Sequence, residues 1–169
     1  MVERELYRAI AGAFPTGVTI VTTIGPDGQP KGLTSQAFLA LSTEPPLMLV
    51  SVDRTSRTLA ALKASRSFVI NFLRAGSEEL STRFATKTDD KFKDVLWVPS
   101  ALANGAPILR DHIVAFAECT VEEIHEVGDH FMFIGRVVGG ASGDGVPLMY
   151  YRRTYAAWPA ESPAPKELA

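Results

Sequence analysis

The stretch IVAFAECTVEEIHEVGDHFMFIGRVV, residues 113–138, decides the fold. Residues 113–127 alternate in part between apolar and polar side chains, the pattern of a strand with one face in a core. Gly128-Asp129 supplies turn chemistry, and residues 130–138 return as a second apolar strand, so the pair reads as a long antiparallel hairpin. A chain whose longest strands are sequence neighbours, with no long helix between them, is not a doubly wound parallel sheet.

The same logic extends outward. Residues 18–24 (VTIVTTI) are β-branched throughout and read as a strand. Gly25-Pro26-Asp27-Gly28 is a turn, because proline presets φ and Asp-Gly accepts positive φ. Residues 31–41 then return as the second arm. Pro45-Pro46 breaks the chain, and residues 47–52 (LMLVSV) form a short buried strand. Residues 56–64 read as a helix capped by Thr55 or Ser56. Residues 68–73 (FVINFL) are a strand, and residues 77–85 a helix with Leu80 and Phe84 at i, i+4. Residues 86–100 carry no clear period, 139–145 read as a loop, and 148–158 hold the last strand. At the start, residues 3–14 form a helix with Leu6, Ala9, Ile10, Ala13 and Phe14 on one face, stopped by Pro15, after which Gly17 re-aims the chain.

The sum is about six or seven strands and three short helices. The expected fold class is therefore mainly β, a closed or nearly closed antiparallel barrel with Greek-key links. Residues 1–158 make one domain, and residues 159–169 a disordered tail.

Composition narrows the function. The chain has 169 residues, 46% hydrophobic and 21% charged, so it has enough material for a single packed core. A net charge of −2 with no basic stripe argues against nucleic acid and against an anionic membrane surface. The single cysteine, Cys119, excludes an internal disulfide and suits a reducing compartment. The N-terminus MVERELYRAI lacks the apolar core of a signal peptide, and no window spans a bilayer. The expectation is a soluble, cytoplasmic protein.

Standard catalytic sets are missing: there is no GxSxG, HExxH, CxxC or P-loop. The histidines, His112, His125 and His130, have no metal-ligand spacing, so no metal is expected. Cys119 sits in an apolar strand, where a thiol is core material. Any chemistry must then belong to a bound cofactor. Three stretches suit backbone-mediated binding. Pro15, Thr16, Gly17 and Val18 form a rigid corner between helix and strand that can lay backbone against a flat ligand. Thr34, Ser35, Gln36 and Ala37 put hydroxyl and amide groups inside an apolar arm. Ser51 and Arg54-Thr55-Ser56 sit between a strand and a helix start, a place for phosphate. Each also has a plain structural reading: a helix stop, an exposed edge strand, an ordinary N-cap.

In this order the stretches become specific. FPTGVTIVTT (residues 14–23), the Thr-x-x-Ala-Phe run from Thr34, EPPLMLVSV (44–52) and FVINFL (68–73) resemble the flavin reductase-like family. KFKDVLW (91–97), GAPIL (105–109), GDH (128–130) and PLMYYRRTY (147–155) continue the likeness. The family comprises the small reductase components of two-component flavin monooxygenases. The resemblance implies an FMN-binding split β-barrel, usually a homodimer with flavin near the subunit interface. It implies reduction of FMN or FAD by NADH or NADPH, with reduced flavin diffusing to a partner monooxygenase. It places residues 15–18 along the flavin ring, and residues 34–37 at the ring edge and ribityl chain. Ser51, Arg54, Thr55 and Ser56 would lie near the phosphate, with Phe84, Lys87 and Lys91 closing that end. Tyr151 and Tyr155 would stand at the pocket mouth, and His130 would touch the nicotinamide, the one position given a catalytic role. Gln36, Asp94 and Arg153-Thr154 depart from the family pattern, the last replacing a glycine-containing stretch. A flavin carrier with little turnover, or an FMN-dependent oxidase on a similar barrel, are the alternatives.

Overall fold

A computed structural model describes residues 2–158; the tail expected at 159–169 lies outside the described residues. The chain forms helix α1 (Arg4–Ala11) and strands β1 (Thr16–Gly17), β2 (Thr19–Ile24), β3 (Pro30–Ser35), β4 (Phe38–Thr43) and β5 (Pro46–Asp53). Helix α2 (Leu59–Ser65), β6 (Ser67–Leu73), α3 (Glu78–Ala85), β7 (Val98–Pro99) and β8 (Pro107–Ile108) follow. A 3-10 turn (Arg110–His112) leads into β9 (Ile113–Val127), β10 (His130–Ser142), β11 (Leu148–Tyr151) and β12 (Thr154–Ala157). The protein is mainly β, and every strand pair is antiparallel.

The hairpin of residues 113–138 is the spine. It forms β9, the middle strand of a seven-stranded sheet ordered β3-β2-β6-β9-β10-β5-β4, and its neighbour β10. The sheet's hydrogen-bonded ladder ends at β3 and at β4, so it is open where the sequence suggested a closed or nearly closed barrel. Its two edges nevertheless meet. Only Gln36 and Ala37 separate β3 from β4. The three steps from Ser35 to Phe38 reach at most about 11 Å, whereas seven strands laid flat span about 29 Å. The sheet must therefore curl until both edges share one corner.

The interior explains the curl. Val21, Val50, Val52, Leu62, Phe68, Ile70, Cys119 and Phe133 are buried together inside it. Burying such side chains contributes roughly 1.5–3 kcal/mol each. A second cluster, Val18, Ile20, Leu73, Leu80, Phe84, Leu109 and Leu148, seals the outer face of β2 under α3 and β11. Strand β2 is thus covered on both sides, and its threonine hydroxyls need acceptors. Thr19 donates to Ser35 O (2.8 Å), Thr22 to Pro107 O (2.5 Å) and Thr23 to Ser67 O (2.7 Å). Asn71 in β6 is fully buried; its amide donates to Ile20 O and Thr22 Oγ1, and its Oδ1 accepts from Leu109 N–H (2.9 Å).

Several boundaries differ from the sequence reading. The arm at residues 31–41 splits into β3 and β4, because β3 pairs with β2 and β4 with β5. The loop expected at 139–145 is strand as far as Ser142, since β9 still offers Ala115 to Glu118 as partners beyond a bulge at Val137/Gly139. The last strand is a hairpin, β11 and β12, turned by Arg152 and Arg153, and β11 also pairs with β1. Helix α1 ends at Ala11, with the Gly12 N–H bonded to Arg8 O, and none of its residues is buried. Helix α2 starts at Leu59 and not at Ser56, because Asp53 has already folded the preceding segment into a turn. The Asp53 carboxylate accepts from Thr55 N–H (2.6 Å) and Thr55 Oγ1 (2.7 Å). Neither Thr55 nor Ser56 caps α2, whose N-cap position is Thr58.

Candidate functional site

The corner where the sheet edges meet gathers most of the residues singled out in the sequence. Thr16 Oγ1 donates to Gln36 Oε1 (3.2 Å), joining β1 to the turn between β3 and β4. Ser51 N–H donates to Ala37 O (3.0 Å), joining that turn to β5. Gln36 and Ala37 are exposed, as are Pro15 and Gly17. A Cβ on Gly17 would meet nothing within 4 Å, so the protein's own packing leaves open space over this backbone. A flat ligand can lie there against main chain. Val18 is buried, and its N–H and carbonyl are taken by Leu148 and Leu73, so it props the corner from beneath. The hydroxyls of Thr34 and Ser35 are bonded inside the protein: Thr34 donates to Ser81 O (2.6 Å) and Ser35 accepts from Ala37 N–H (3.1 Å).

Beside this corner a recess of about 220 Å³ opens between β3, the turn before α2 and the segment after α3. Thr34, Thr55, Ser56, Phe84, Lys87 and Lys91 all line it, which unites two stretches of sequence that no local motif connects. Phe84 forms a fully buried wall. Lys91 is half-buried, its ammonium donating to Gly32 O (3.0 Å) and Phe84 O (2.8 Å). Burial first, and then the nearby Arg57 charge, hold its pKa below the ordinary lysine value. Asp53 sits on the rim, and the Thr55 hydrogen bonds hold its carboxyl below the usual range.

Arg57 is the cationic lining residue absent from the sequence-based candidates, which also omit Leu33, Asp53, Ala85 and Thr86. Its signal was its place in the same turn as Arg54, and only the fold decides which of the two faces the recess. Arg54 points away, to Glu126 Oε1 (2.5 Å) and Gly128 O (3.0 Å). Arg57 reaches Asp89 (2.8 Å) across the recess wall. Tyr155 also turns away from the expected mouth. It packs on Tyr150 and its hydroxyl meets Ser81 Oγ at 2.9 Å. Tyr151 stays exposed. His130 lies in register with Asp53 on the neighbouring strand, and its Nδ1 is 2.7 Å from Asp129 Oδ1.

These groups suit a flavin phosphate at one end of an open surface. Arg57, Lys87 and Lys91 supply cationic donors, and Thr55 and Ser56 supply hydroxyls. A recess of about 220 Å³ holds a phosphate and part of a chain, not a tricyclic ring. The ring would lie outside it, over the exposed corner. Among the described residues no group of three or more His, Cys, Asp or Glu is placed to hold a metal, and no helix is long and apolar enough to cross a membrane.

Residues 11–159 match the flavin reductase like domain. A flavin reductase (NADH) from Kitasatospora aureofaciens is 48% identical over 95% of this chain and 85% of its own. The reductase subunit HsaB of a flavin-dependent monooxygenase from Mycobacterium tuberculosis is 37% identical over 97% of this chain and 87% of its own. The solved structure of the NADH:FAD oxidoreductase SgcE6 from Streptomyces globisporus, in complex with NAD and FAD fragments, superposes with a TM-score of 0.88 at 31% identity, covering 95% of this chain and 96% of that one.

Proposed function

The chain belongs to the flavin reductase like domain family, and from that premise we propose that it is an NAD(P)H:flavin oxidoreductase whose reduced FMN or FAD serves a separate flavin-dependent monooxygenase. When bound, the flavin supplies the hydride-accepting centre, and the nicotinamide nucleotide supplies the hydride. The chain's own task is geometric. Gly17 and residues 35–37 offer a flat backbone shelf, and Lys91, Lys87 and Arg57 fix the phosphate so that the ring lies over that shelf. Hydride transfer between stacked rings needs alignment more than a proton donor, which fits a site without a triad or dyad. His130 stands on the strand beside Asp53, where it would orient the nicotinamide.

One observation carries the reading: a small recess lined by Arg57, Lys87 and Lys91 reaches Thr34, next in the chain to the exposed backbone corner. Carriers bury most of a cofactor, whereas this shelf leaves the ring accessible, as a flavin that enters and leaves requires. The same corner supports a split β-barrel, because the curled sheet brings its two edges together there. A homodimer is part of the proposal. Helix α1 buries nothing, and Leu6 and Ile10 stand exposed on it one turn apart, an apolar patch that a second copy would cover. Residues 1–158 act as one domain, and the reading places the enzyme in the cytoplasm, where its lone thiol stays reduced.

The test is steady-state oxidation of NADH and of NADPH with and without added FMN or FAD. Turnover that depends on added flavin is expected. A tightly held flavin inert to both nucleotides would replace this reading with the carrier or oxidase. Gel filtration is expected well above the 18.3 kDa of one chain.

A further inference from the structure

Other cavities lie apart from the flavin recess. Two adjoining ones, of about 500 Å³ and about 310 Å³, share Arg8, Gly12, Arg152 and Arg153 as lining. Arg8 lies on α1, and Tyr7 and Phe14 line the smaller cavity with it. Arg152 and Arg153 form the two-residue turn between β11 and β12, both in the left-handed region at φ 46° and 65°. Such a turn favours Asn-Gly, and a side chain at positive φ is strained. The turn is also tied to α1, with Arg152 N–H donating to Gly12 O (3.2 Å). Three arginines thus line one place, with the Arg152 guanidinium 5.2 Å from the centre of the Tyr151 ring, and among the described residues Glu5 is the only carboxylate on the lining. Among the described residues none of the three arginines has an ion-pair partner.

We propose that Arg8, Arg152 and Arg153 bind the phosphate groups of the incoming nicotinamide dinucleotide. Planar guanidinium forks match phosphate oxygens in pairs, and several converging forks suit a multiply charged phosphate better than a single carboxylate. The placement agrees. The smaller cavity is also lined by Gln36 and Tyr150, while Thr34, two residues earlier and near the end of β3, lines the flavin recess. The shelf therefore has a cationic site at each end. A flavin anchored by Lys91 fills one, and a nucleotide stacked on its ring extends its phosphates toward the other. This rests on the NAD(P)H reading above.

The test compares wild type with the Arg152→Gly/Arg153→Gly double variant and with Arg8→Ala, using FMN as acceptor. Glycine suits both turn positions, so the double variant's melting temperature is expected at or above wild type. The KM for the nucleotide is expected to rise about tenfold or more, the scale of losing a charged hydrogen bond, with the KM for FMN far less affected. A rise for NADPH alone assigns the site to the 2′-phosphate; a rise for NADH as well assigns it to the pyrophosphate. In wild type, inorganic pyrophosphate is expected to compete with the nucleotide and to lose potency in the variants. Unchanged nucleotide KM values, or a defect that appears only when FAD replaces FMN, would overturn the proposal. A wild type that oxidises neither nucleotide would instead overturn the reductase reading itself.

Discussion

The ring edge of Phe84 stands against the backbone of Gly32: a Cβ on Gly32 would lie 2.8 Å from Phe84 Cε1 and 3.3 Å from Val21 O. Phe84 is fully buried and Val21 O is main chain, so neither can withdraw cheaply. Gly32 O also accepts from Lys91 Nζ and from Thr58 Oγ1, both at 3.0 Å. Core packing and the proposed phosphate end thus meet at one glycine. Gly32→Ala is expected to cost about 1–3 kcal/mol, the range for overpacking, and to raise the KM for flavin through the displaced Lys91. Urea denaturation with parallel flavin titration measures both. A variant matching wild type in both would show that the strand shifts freely, and would break the proposed link.

Lys91 gives the site a pH dependence. Burial and the Arg57 charge hold its pKa below 10.5 in the folded protein. The ammonium proposed to hold the phosphate is therefore lost at a lower pH than an ordinary lysine would lose it. The KM for FMN is expected to rise on the alkaline side before pH 10.5 is reached. Stability has the opposite sign. Between the lowered folded value and the unfolded one, the unfolded chain binds more protons, so this group's contribution to stability grows with pH. Lys91→Met is expected to raise the KM for FMN on the order of tenfold at neutral pH and to flatten the rise. A pH profile identical in variant and wild type would remove Lys91 from the phosphate site.

How much of this was legible in sequence differs by element. Strand β9 was readable to the residue, because alternation over residues 113–127 and a Gly-Asp turn are both local signals. The split of residues 31–41 into two edge strands was not, since nothing within KGLTSQAFLAL says that its halves pair with different partners. Asn71 stands inside FVINFL with no local signal of its role. Its role, tying β2 to the segment after β8, exists only once residues 38 positions apart meet. The recess follows the same rule. Its threonines and lysines were named from motif order, but Arg57 displaced Arg54 because Asp53 turns the chain between strand and helix. The αL turn at Arg152-Arg153 escaped notice because arginine carries no turn signal.

His130 is expected to act on the nicotinamide rather than on the flavin. Its Nδ1 lies 2.7 Å from Asp129 Oδ1, and the hydrogen bond, followed by the His130 charge, holds the Asp129 carboxyl below its ordinary range. The contact orients the ring while leaving Nε2 outward. His130→Ala is expected to raise the KM for NADH several-fold, at least twice as much as the KM for FMN. Asp129→Asn should produce a smaller shift in the same direction. Steady-state titration of each substrate at saturating partner separates the two. If the KM for NADH does not move, His130 is a surface turn residue and the nicotinamide sits elsewhere on the shelf.

Cys119 makes the last case, since a lone cysteine in a redox enzyme invites a catalytic role. The thiol is fully buried on β9, opposite Phe68 on β6 and Val137 on β10. Burial, and then the neighbouring Glu118 charge, push its pKa up to about 12 from an unfolded 9.0. A thiol with so little thiolate at neutral pH is neither nucleophile nor redox relay. The linkage sign follows. Below pH 9.0 the protonated thiol contributes its full stability, and as pH climbs toward about 12 the unfolded chain sheds a proton that the folded chain keeps, so stability falls. An aromatic disulfide reagent is therefore expected to leave the native protein unlabelled at neutral pH and to label one thiol per chain in urea. Cys119→Ala should retain flavin-dependent turnover with a modest loss of stability, and should remove part of the alkaline decline in melting temperature. Rapid labelling of the native protein, or turnover that disappears in the alanine variant while its fold persists, would instead make the thiol a working part of the enzyme.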